Sequence, residues 1–564
     1  MQKDKPFEAI SPENEQGQGE RKMEISLPPQ KREGSRWKRR SRHRRGSLRA
    51  GLAVVAGRTA GALSRRLHLG GGTTIVGAVA QRVYPDIVGH LATQLEHGSV
   101  VVTGTNGKTT TSSFIAAVLR DGGLRVWYNR EGSNLMRGVA SSLVIRAQPD
   151  GRLRRAGQAI SILEVDEASL LPFVHAVQPR VIVFTNLFRD QLDRYGEVDS
   201  IVTRWKEVIT LLPISTLLIL NADDPTIAHL GEAFTGKVLY YGIDDRSLDL
   251  LTNHETGERH QVSDSRVCPN CGGEYVYDAR FYSHVGHYHC PHCGLQRPQP
   301  DVRVTEVHAD SFDRQRLQVS SAGQEREVIV PLPGLYNIYN ALAAITAAQA
   351  LEIAWEPIRS GIEQYKPVFG RGERVQAEGR TIRLLLAKNP TGFNEVLRTL
   401  FSENTAHHVL FVLNDHIADG RDVSWIWDVD FERVVGQTET LVITGTRALD
   451  LALRLKYAGI EQERMTIVPS TSLRVVRREL ALRARQRRMQ RRRQKNGEMS
   501  QDVERAGAEM PRRYGLKNAL DLALQQTPVG ETLFIVPTYT GLLEVHRELE
   551  QQGLTPHYWE GREA

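Results

Sequence analysis

The sequence lacks the features that mark membrane-spanning and secreted proteins. No apolar run approaches the roughly 18 residues that a membrane-spanning helix needs, and the chain begins with charged and polar residues instead of a secretory signal. The 564 residues include only four cysteines, and all four lie between residues 268 and 293. These absences argue against a transmembrane protein and against a secreted scaffold built on disulfides. We therefore expect a cytoplasmic chain that is long enough for several domains.

Acidic residues are nearly missing from two tracts of the chain. Residues 31–49 contain ten Lys or Arg and one acid, and residues 474–495 contain eleven Lys or Arg and one acid. The tracts carry charges of +9 and +10 in a chain of net charge +7, so the remainder is acidic, at −12. Each tract is either a solvated segment or a contact for an anionic partner, such as lipid head groups or nucleic acid. Because residues 1–50 also contain few apolar side chains, we predict a basic disordered extension there.

Residues 100–113, with the sequence VVVTGTNGKTTTSS, contain the strongest functional motif. The apolar residues 100–102 predict a buried strand, residues 104–109 a tight turn, and residues 110–119 a helix. Glycines allow the backbone to approach phosphate oxygens, and N–H groups at a helix N-terminus bind them. We predict that Lys108 contacts the β- and γ-phosphates of a nucleotide and that Thr109 is a Mg²⁺ ligand. The nucleotide-binding residues predicted in this loop are Gly104, Thr105, Asn106, Gly107, Lys108, Thr109 and Thr110.

Apolar strands alternate with helical patterns after this loop. The predicted strands are residues 160–163, 181–185 and 216–220. Such alternation predicts a parallel, doubly wound α/β sheet, whose functional groups lie at the carboxyl ends of the strands. Glu164 follows the first of these strands and Asn186 follows the second. We predict that Glu164 is a second Mg²⁺ ligand, and a surface acid that caps the next helix is the alternative.

The four cysteines form two pairs with the spacing C-x₂-C-x₁₈-C-x₂-C. This pattern predicts one tetrahedral Zn²⁺ ion bound by Cys268, Cys271, Cys290 and Cys293, and disulfides are the alternative that a cytoplasmic location disfavours. Four thiolates leave no open position, so the predicted zinc is structural. We expect a zinc ribbon at residues 262–299, inserted into the nucleotide-binding domain. Four histidines nearby are interpreted as ordinary surface residues: His284, His287, His289 and His292.

A second α/β unit is predicted after residue 374. Its apolar strands are residues 382–386, 409–413, 440–443 and 532–536. A helical stretch rich in Leu and Arg, residues 472–493, carries the second basic tract. We thus predict a central nucleotide-binding domain at residues 51–374 and a C-terminal α/β domain at residues 375–564, with the Arg-rich segment at residues 474–495.

Five motifs in this order resemble the Mur ligase family. They are GTNGKTT from Gly104, Asn186 with DQLDRYG from Asp190, NADD from Asn221, GLYNIYNALAA from Gly334, and FGRGER from Phe369. The resemblance implies that ATP and Mg²⁺ activate a carboxylate as an acyl phosphate, which an amine then attacks. It also implies nucleotide-site roles for Asn337, Asn340 and Arg371. Lys206 lies where many members carry a carbamylated lysine, and Gln191 replaces the usual histidine.

Two later segments resemble the C-terminal domain of one group within this family, the MurT group. They are NDHIADGRDVSWIWD from Asn414 and VPTYTGLL from Val536, and no separate substrate domain precedes the phosphate loop. The resemblance implies a carbon–nitrogen ligase of peptidoglycan synthesis, which amidates the α-carboxyl of D-glutamate in the lipid II stem peptide to D-isoglutamine. Ammonia would come from a GatD-like glutamine amidotransferase in a heterodimer. Lipid II as substrate implies action at the inner face of a bacterial membrane.

The same resemblance gives a role to an aspartate in the first of these segments. It implies that this chain supplies the carboxylate that orients the imidazole of the partner's Cys–His pair. We choose Asp422 for this role and keep Asp419 as the alternative, while a helix cap is the simpler role for Asp422. If all four cysteines bind zinc, no thiol of this chain is left for glutamine hydrolysis. Two other functions stay open: an ordinary Mur or folylpolyglutamate-type amino-acid ligase, and a nucleic-acid-binding ATPase.

Overall fold

The computed structural model describes residues 47–66, 74–128, 136–190, 198–251, 264–367, 370–402, 405–469 and 515–555. Most of the predicted N-terminal extension and the whole predicted Arg-rich helix lie outside these ranges, as do Gln191 and Phe369. A helix begins at Leu48, within the last three residues of the range predicted as the extension. Within the described ranges, no helix combines the length and the hydropathy that crossing a bilayer requires.

The larger of two main sheets contains nine strands. They are β1 (Ser99–Thr103), β2 (Arg125–Tyr128), β3 (Ala159–Glu164), β4 (Val181–Phe184), β5 (Leu217–Asn221), β6 (Lys237–Ile243), β9 (Val302–Ser311), β10 (Arg314–Ser321) and β11 (Gln324–Val330). Their order in the sheet is β11-β10-β9-β6-β5-β4-β1-β3-β2. All neighbours from β2 to β9 pair in parallel, and only β10 pairs antiparallel with β9 and with β11. The sheet is thus predominantly parallel, as predicted.

Helices cover both faces of this sheet. They are α1 (Leu48–Arg66), α2 (Ile75–Val83), α3 (Ile87–Ala92), α4 (Lys108–Asp121), α5 (Met136–Arg146), α6 (Leu170–Val177), α7 (Val198–Thr210), α8 (Pro225–Ala228), α9 (Leu335–Ala350) and α10 (Trp355–Glu363). Val100 and Val102 share a core with α4, α9 and α10, whereas Val101 shares a core with the helices from α1 to α3 and α5 to α7. Because successive strand residues point to opposite faces, a sheet covered on both sides requires continuously apolar strands.

The strand predictions succeed in the centre of this sheet and fail at one edge. The apolar segments at residues 100–102, 160–163, 181–185 and 216–220 are confirmed as β1, β3, β4 and β5. The antiparallel edge that ends in β11 is not predicted. In β11, Val328 and Val330 are buried, whereas Gln324, Glu325 and Glu327 are exposed. Charged residues on a solvated face interrupt the apolar run from which the other strands are predicted.

A two-stranded hairpin is inserted between β6 and β9, within the predicted ribbon. Its strands are β7 (Val276–Tyr282) and β8 (Val285–His289). The tip carries His284, which is fully buried; its ring centroid lies 4.8 Å from that of Phe188, and its Nε2 lies 3.4 Å from Oδ2 of Asp224. The interpretation as a surface residue is therefore wrong for His284, because the hairpin tip packs into the core of the larger sheet.

The smaller main sheet contains six strands and follows the larger one in the chain. They are β12 (Arg371–Ala377), β13 (Arg380–Leu385), β14 (His407–Val412), β15 (Thr438–Gly445), β16 (Met465–Pro469) and β17 (Thr532–Pro537). Their order is β12-β13-β17-β14-β15-β16, and every pair is parallel except β12 with β13. Helices α11 (Pro390–Leu400), α12 (Ala448–Tyr457), α13 (Leu516–Gln526) and α14 (Tyr539–Gln551) pack against it. The four strands predicted here are confirmed as β13, β14, β15 and β17.

Candidate functional site

The glycine-rich segment forms a tight turn between β1 and α4. Gly104 has a φ of 130° and Gly107 has a φ of 83°, in the region that favours glycine. A Cβ atom on Gly107 would lie 2.1 Å from Oδ1 of Asn340, so a side chain there would collide with α9. Because α4 begins at Lys108, its first N–H groups are available at the end of this turn.

Lys108, Thr109 and Glu164 converge beside the turn. Oγ1 of Thr109 donates to the carboxylate of Glu164, at 2.9 and 2.8 Å from its two oxygens. Nζ of Lys108 donates to the carbonyl oxygen of Gly104 and to Oε2 of Glu167, the latter at 3.1 Å. A buried hydroxyl in contact with a buried carboxylate offers the hard oxygen ligands that Mg²⁺ takes. Lys108 offers a cation for a phosphate group at the same place.

A second lysine, which the sequence analysis does not select, enters the site from the smaller sheet. Lys388 follows β13, and its Nζ lies 2.5 Å from Oδ2 of Asp190. The Asp190 side chain is 5% exposed, and its Oδ1 has no hydrogen-bond partner among the described residues. One signal could have identified Lys388: it stands at the carboxyl end of a predicted strand, where functional groups gather in α/β folds.

Carboxyl groups outnumber the ammonium groups around Lys108 and Lys388. Burial raises the pKa of Glu167, although the nearby ammonium groups of Lys108 and Lys388 oppose this rise. Burial alone would lower the pKa of Lys388, but the carboxylates of Asp190 and Glu167 raise it above its ordinary value. Four carboxyl groups lie in this region beside the two lysines: Glu164, Asp166, Glu167 and Asp190. The excess of negative charge makes the region suitable for divalent cations.

One cavity, of about 490 Å³, brings most of the predicted nucleotide-site residues together. The predicted residues that line it are Thr105, Asn106, Gly107, Lys108, Thr109, Thr110, Glu164, Asn186, Asn337, Asn340 and Arg371. Gly104 does not line the cavity, but its carbonyl oxygen accepts from Lys108, which does. The rings of Phe188, Tyr282 and Tyr336 also line the cavity and give it an apolar surface, which the sequence analysis does not predict. A cavity with apolar and charged regions can hold a nucleotide, with its base on the rings and its phosphates on the lysines.

Lys206 is not part of this wall. It lies on α7 and is partly exposed. Burial is the larger cause of the lowered pKa of His229, and the charge of Lys206 adds to it. The family resemblance directs attention to Lys206, but the lysine that contacts Asp190 is Lys388.

The start of α11 also contacts the phosphate loop. The side-chain amides of Asn389 and Asn106 exchange hydrogen bonds of 3.0 and 3.3 Å. The N–H of Asn106 donates in turn to Oδ1 of Asn186 at 2.9 Å. Thr391 and Gly392, in the first turn of α11, line the cavity. The cavity therefore depends on residues from both main sheets.

The two candidate aspartates of the late segment have different environments. Asp419 is buried, and its carboxylate accepts the N–H of Thr540 at 2.8 Å and the hydroxyl of the same residue. Asp422 is exposed, and its Oδ1 accepts the N–H of Ser424 at 2.8 Å, which lowers the pKa of Asp422. Neither lines the cavity, although Ala418 does. Asp422 is thus the aspartate whose carboxylate is accessible from outside the chain.

The four cysteines form a compact cluster that could hold a metal ion. Their Sγ atoms all lie within 4.8 Å of one another, and no disulfide joins them. The Sγ atoms are 3.4 Å apart in two pairs, Cys268 with Cys293 and Cys271 with Cys290. Four sulfurs at about 2.3 Å from one tetrahedral Zn²⁺ would be about 3.8 Å apart. The donor set and its size therefore fit zinc.

Comparisons with known proteins cover both halves of the chain. Residues 102–283 match the model of the Mur ligase middle domain, and residues 386–488 match the model of the MurT ligase C-terminal domain. A relative from Staphylococcus aureus (strain COL) is 37% identical over 413 residues, which cover 73% of this chain and 87% of the relative. A relative from Streptococcus pneumoniae (strain ATCC BAA-255 / R6) is 33% identical over 421 residues, covering 74% and 89%. Both are named lipid II isoglutaminyl synthase (glutamine-hydrolyzing) subunit MurT.

A solved structure gives independent support for the fold. The pseudomurein peptide ligase type C from Methanothermus fervidus matches with a TM-score of 0.54 over 80% of this chain and 78% of that chain. The two sequences are 22% identical, so this likeness concerns the fold alone. The two family models together cover the phosphate loop and the late segment that contains Asp419 and Asp422. The chain therefore belongs to the MurT family of Mur-type ligases.

Proposed function

We propose that the chain is the ATP-dependent synthetase subunit of a lipid II isoglutaminyl synthase. In this reaction the α-carboxyl of D-glutamate in the lipid II stem peptide becomes the amide of D-isoglutamine. The observation that carries the proposal is the convergence of Lys108, Thr109 and Glu164 in one cavity with Asn337 and Asn340, in a member of the MurT family. We take lipid II as the substrate from the name that the two relatives carry.

The residues of the phosphate loop account for activation of the carboxylate. Lys108 and the N–H groups at the start of α4 would hold the phosphates of ATP. Thr109 and Glu164 would hold Mg²⁺, which neutralises charge on the β- and γ-phosphates. A carboxylate oxygen of D-glutamate attacks the γ-phosphorus, the bond from this phosphorus to the bridging oxygen breaks, and ADP leaves with the electron pair. Catalysis is then mainly positioning and charge neutralisation.

The second half of the reaction consumes the acyl phosphate. Ammonia attacks its carbonyl carbon and loses a proton, and inorganic phosphate leaves with the electrons of the broken C–O bond. We assign Lys388 to positioning in both halves, because its ammonium lines the same cavity as Lys108 and can attract both the anionic carboxylate and the anionic γ-phosphate. The exchange of hydrogen bonds between Asn389 and Asn106 supports this assignment, since it fixes the chain next to Lys388 against the phosphate loop.

Ammonia would be supplied by a GatD-like glutamine amidotransferase that forms a heterodimer with this chain. Hydrolysis of glutamine needs a nucleophile, and the four cysteines here are gathered in the candidate metal cluster. We assign to Asp422 the role of orienting the histidine of the partner's Cys–His pair. Its exposure and its lowered pKa support the choice over Asp419, whose oxygens are both engaged by Thr540.

We assign a structural Zn²⁺ to the cysteine cluster. Four thiolates would complete its coordination, so the metal would stabilise the ribbon without contacting a substrate. The two main sheets support a division into an ATP-binding domain at residues 51–374, with the ribbon at residues 262–299 inserted in it, and a C-terminal domain at residues 375–564. β12 crosses this proposed boundary and pairs with β13 in the smaller sheet.

Reconstitution with the partner subunit tests the proposed function. The two chains, lipid II in detergent, MgATP and glutamine should give amidated lipid II, as measured by mass spectrometry, and ammonium salt should replace both glutamine and the partner. Omission of ATP should abolish the product. Ligation of an amino acid in place of ammonia would show an ordinary ligase, and ATP hydrolysis that responds to nucleic acid and not to lipid II would refute the proposal.

A further inference from the structure

The hairpin of β7 and β8 connects the cysteine cluster with the cavity. At its open end, Val276 of β7 pairs with His289 of β8, and Cys290 follows β8 directly. About 20 Å away along β7, at the closed end, Tyr282 is 3% exposed and lines the cavity. We call residues 281–284 the hairpin tip. A two-stranded hairpin is only marginally stable by itself in water, so its position depends on the contacts at its two ends.

The hairpin tip contacts the phosphate loop through Phe188. The ring centroid of Phe188 lies 4.8 Å from that of His284 and 6.0 Å from that of Tyr282. The backbone of Phe188 forms two hydrogen bonds with the hydroxyl of Thr105: its N–H donates to Oγ1 at 3.0 Å, and Oγ1 donates to its carbonyl oxygen at 3.2 Å. Phe188 and Thr105 both line the cavity. One residue therefore joins the hairpin tip to the loop that is predicted to hold phosphates.

Asp224 adds a second connection to the same backbone. Its Oδ2 lies 3.4 Å from Nε2 of His284 and accepts the N–H of Leu187, the residue before Phe188, at 3.1 Å. The side chains of Asp224, His284 and Leu187 are fully buried, so water does not compete with these contacts. The hairpin tip is thus held against residues 187 and 188 on a dry surface.

The hairpin tip also contacts α11, which packs on the smaller sheet. Arg398 of α11 donates to the carbonyl oxygen of Phe281. The same guanidinium donates to Oε2 of Glu395 at 2.5 Å, and Glu395 lines the cavity. The hairpin tip therefore lies between two parts of the cavity wall, Phe188 from the larger sheet and Glu395 from α11.

We propose that the hairpin tip positions the nucleotide wall, so that nucleotide binding in the cavity and metal binding by the cysteine cluster strengthen each other. Tyr282 and His284 are the positioning residues, because they hold Phe188 and through it the phosphate loop. The contacts from the open end of the hairpin to Thr105 form one continuous path of packed groups. The inference rests on the proposed function for the identity of the two ligands, ATP and Zn²⁺.

Coupling between two binding sites is reciprocal, so each ligand must raise the affinity for the other by the same factor. The full-length, reduced chain is used for both measurements. Zinc affinity, from competition with a chelator of known affinity, should rise at least about fivefold when a non-hydrolysable ATP analogue with Mg²⁺ is saturating. Zinc-depleted protein that keeps its circular dichroism spectrum should bind a fluorescent ATP analogue weaker by the same factor, and added Zn²⁺ should restore the affinity.

Variants of the hairpin locate the coupling. Tyr282→Ala removes a ring next to Phe188 and leaves all four cysteines, so zinc content should stay at the wild-type level. Binding of the fluorescent ATP analogue should weaken about fivefold or more, and the zinc affinity should no longer respond to nucleotide. Tyr282→Phe keeps the ring and should retain the coupling. The matched control is Val276→Ala at the open end of the same strand, where the side chain is 45% exposed, and it should leave both affinities unchanged.

Several results would overturn the proposal. Equal nucleotide affinity of zinc-loaded and folded zinc-depleted protein would show that the main sheet alone holds the hairpin, for example through the N–H of Gly286, which donates to the carbonyl oxygen of Asp223 at 2.8 Å. Reduced wild-type protein that binds no zinc would also overturn it. If zinc-depleted protein unfolds, the chelator competition decides, and equal coupling in wild type and Tyr282→Ala would refute the role of the hairpin tip.

The proposed function has a separate outcome. A chain in which the two ligands are coupled, but which does not amidate lipid II in the reconstituted reaction, would refute the proposed function and leave this inference standing. Amidation by a chain in which zinc and nucleotide bind independently would do the reverse.

Discussion

Replacement of Lys388 by Met tests the contribution of the smaller sheet to catalysis. Met has a similar length and no charge, so the change removes the ammonium that lies 2.5 Å from Oδ2 of Asp190. The Asp190 carboxylate, whose side chain is 5% exposed, would then lose its cation. Since the Lys388 side chain is 30% exposed, water can compensate in part. We expect unfolding to become easier by about 1–3 kcal/mol, less than for a fully buried ion pair.

The expected effect of Lys388→Met on catalysis is larger than its effect on stability. Removal of one preorganised group that stabilises developing charge typically costs about 10²–10³ in kcat, or about 2.7–4 kcal/mol. The KM for ATP should change much less, because Lys108 and the phosphate loop remain. Lys388 also lowers the pKa of Glu167, so the variant should lose activity at a higher pH than the wild type when pH is decreased.

The assay uses ammonium salt as nitrogen source, so that it reports on this chain alone. Initial rates of lipid II amidation are measured across ATP concentration and pH, and circular dichroism melting monitors folding. Lys206→Met is the matched control, because Lys206 lies on α7 outside the cavity wall, and its rate should stay within about twofold of wild type. A folded Lys388→Met variant with near-wild-type kcat, or a Lys206→Met variant with the larger loss, would refute the assignment.

Three further changes test the remaining assignments. Lys108→Ala should abolish amidation with ammonium salt and leave folding and partner binding intact; measurable turnover close to wild type would exclude this site. Cys268→Ser should lower both the zinc content and the melting temperature, and metal analysis of reduced wild-type protein should find about one Zn²⁺ per chain; zinc-free wild type would contradict the metal assignment. Asp422→Asn should lose most glutamine-dependent amidation and keep ammonium-dependent amidation; equal loss with both nitrogen sources would place Asp422 in the synthetase reaction or in folding.

Local patterns made the phosphate-loop side of the cavity predictable. Strand, glycine turn and helix follow each other within residues 99–121, so adjacent residues in sequence determine the positions of Lys108 and Thr109. Glu164 could be predicted because β3 is mostly apolar, with Ser161 as its one polar residue before it ends at Glu164. In these cases the chemistry and the backbone conformation are encoded by the same short segment.

The contacts that cross between the two sheets could not be predicted in this way. Lys388 and Asp190 are 198 residues apart, and no local pattern pairs them. His284 shows the same limit, since the predicted ribbon contains it but does not reveal that the hairpin tip enters the main core. Tertiary packing, and not the local sequence, determines the Lys388–Asp190 contact and the burial of His284.

The segment that contains both late aspartates connects the cavity with the surface. Ala418 lines the cavity, Asp419 is buried, and Asp422 is exposed. Four residues of extended chain cover at most about 14 Å, so Asp422 lies within that distance of the cavity wall, measured between Cα atoms. A partner site that uses Asp422 would therefore open close to the synthetase cavity. Ammonia released there would have a short path to the acyl phosphate.

The contacts of Asp419 would hold the segment from Ala418 to Asp422 in place beside the cavity. Its carboxylate accepts the N–H and the hydroxyl of Thr540 at the start of α14, and the neighbouring Tyr539 lines the cavity. Asp419→Ala removes both bonds, so the segment should loosen while Asp422 itself remains. We expect glutamine hydrolysis to persist but to become uncoupled, with more glutamate released per amidated lipid II than in the wild type, whereas ammonium-dependent amidation falls less. An unchanged ratio of glutamate to amide would show that Asp419 only stabilises the fold, and loss of glutamine hydrolysis itself would transfer to Asp419 the role that we assign to Asp422.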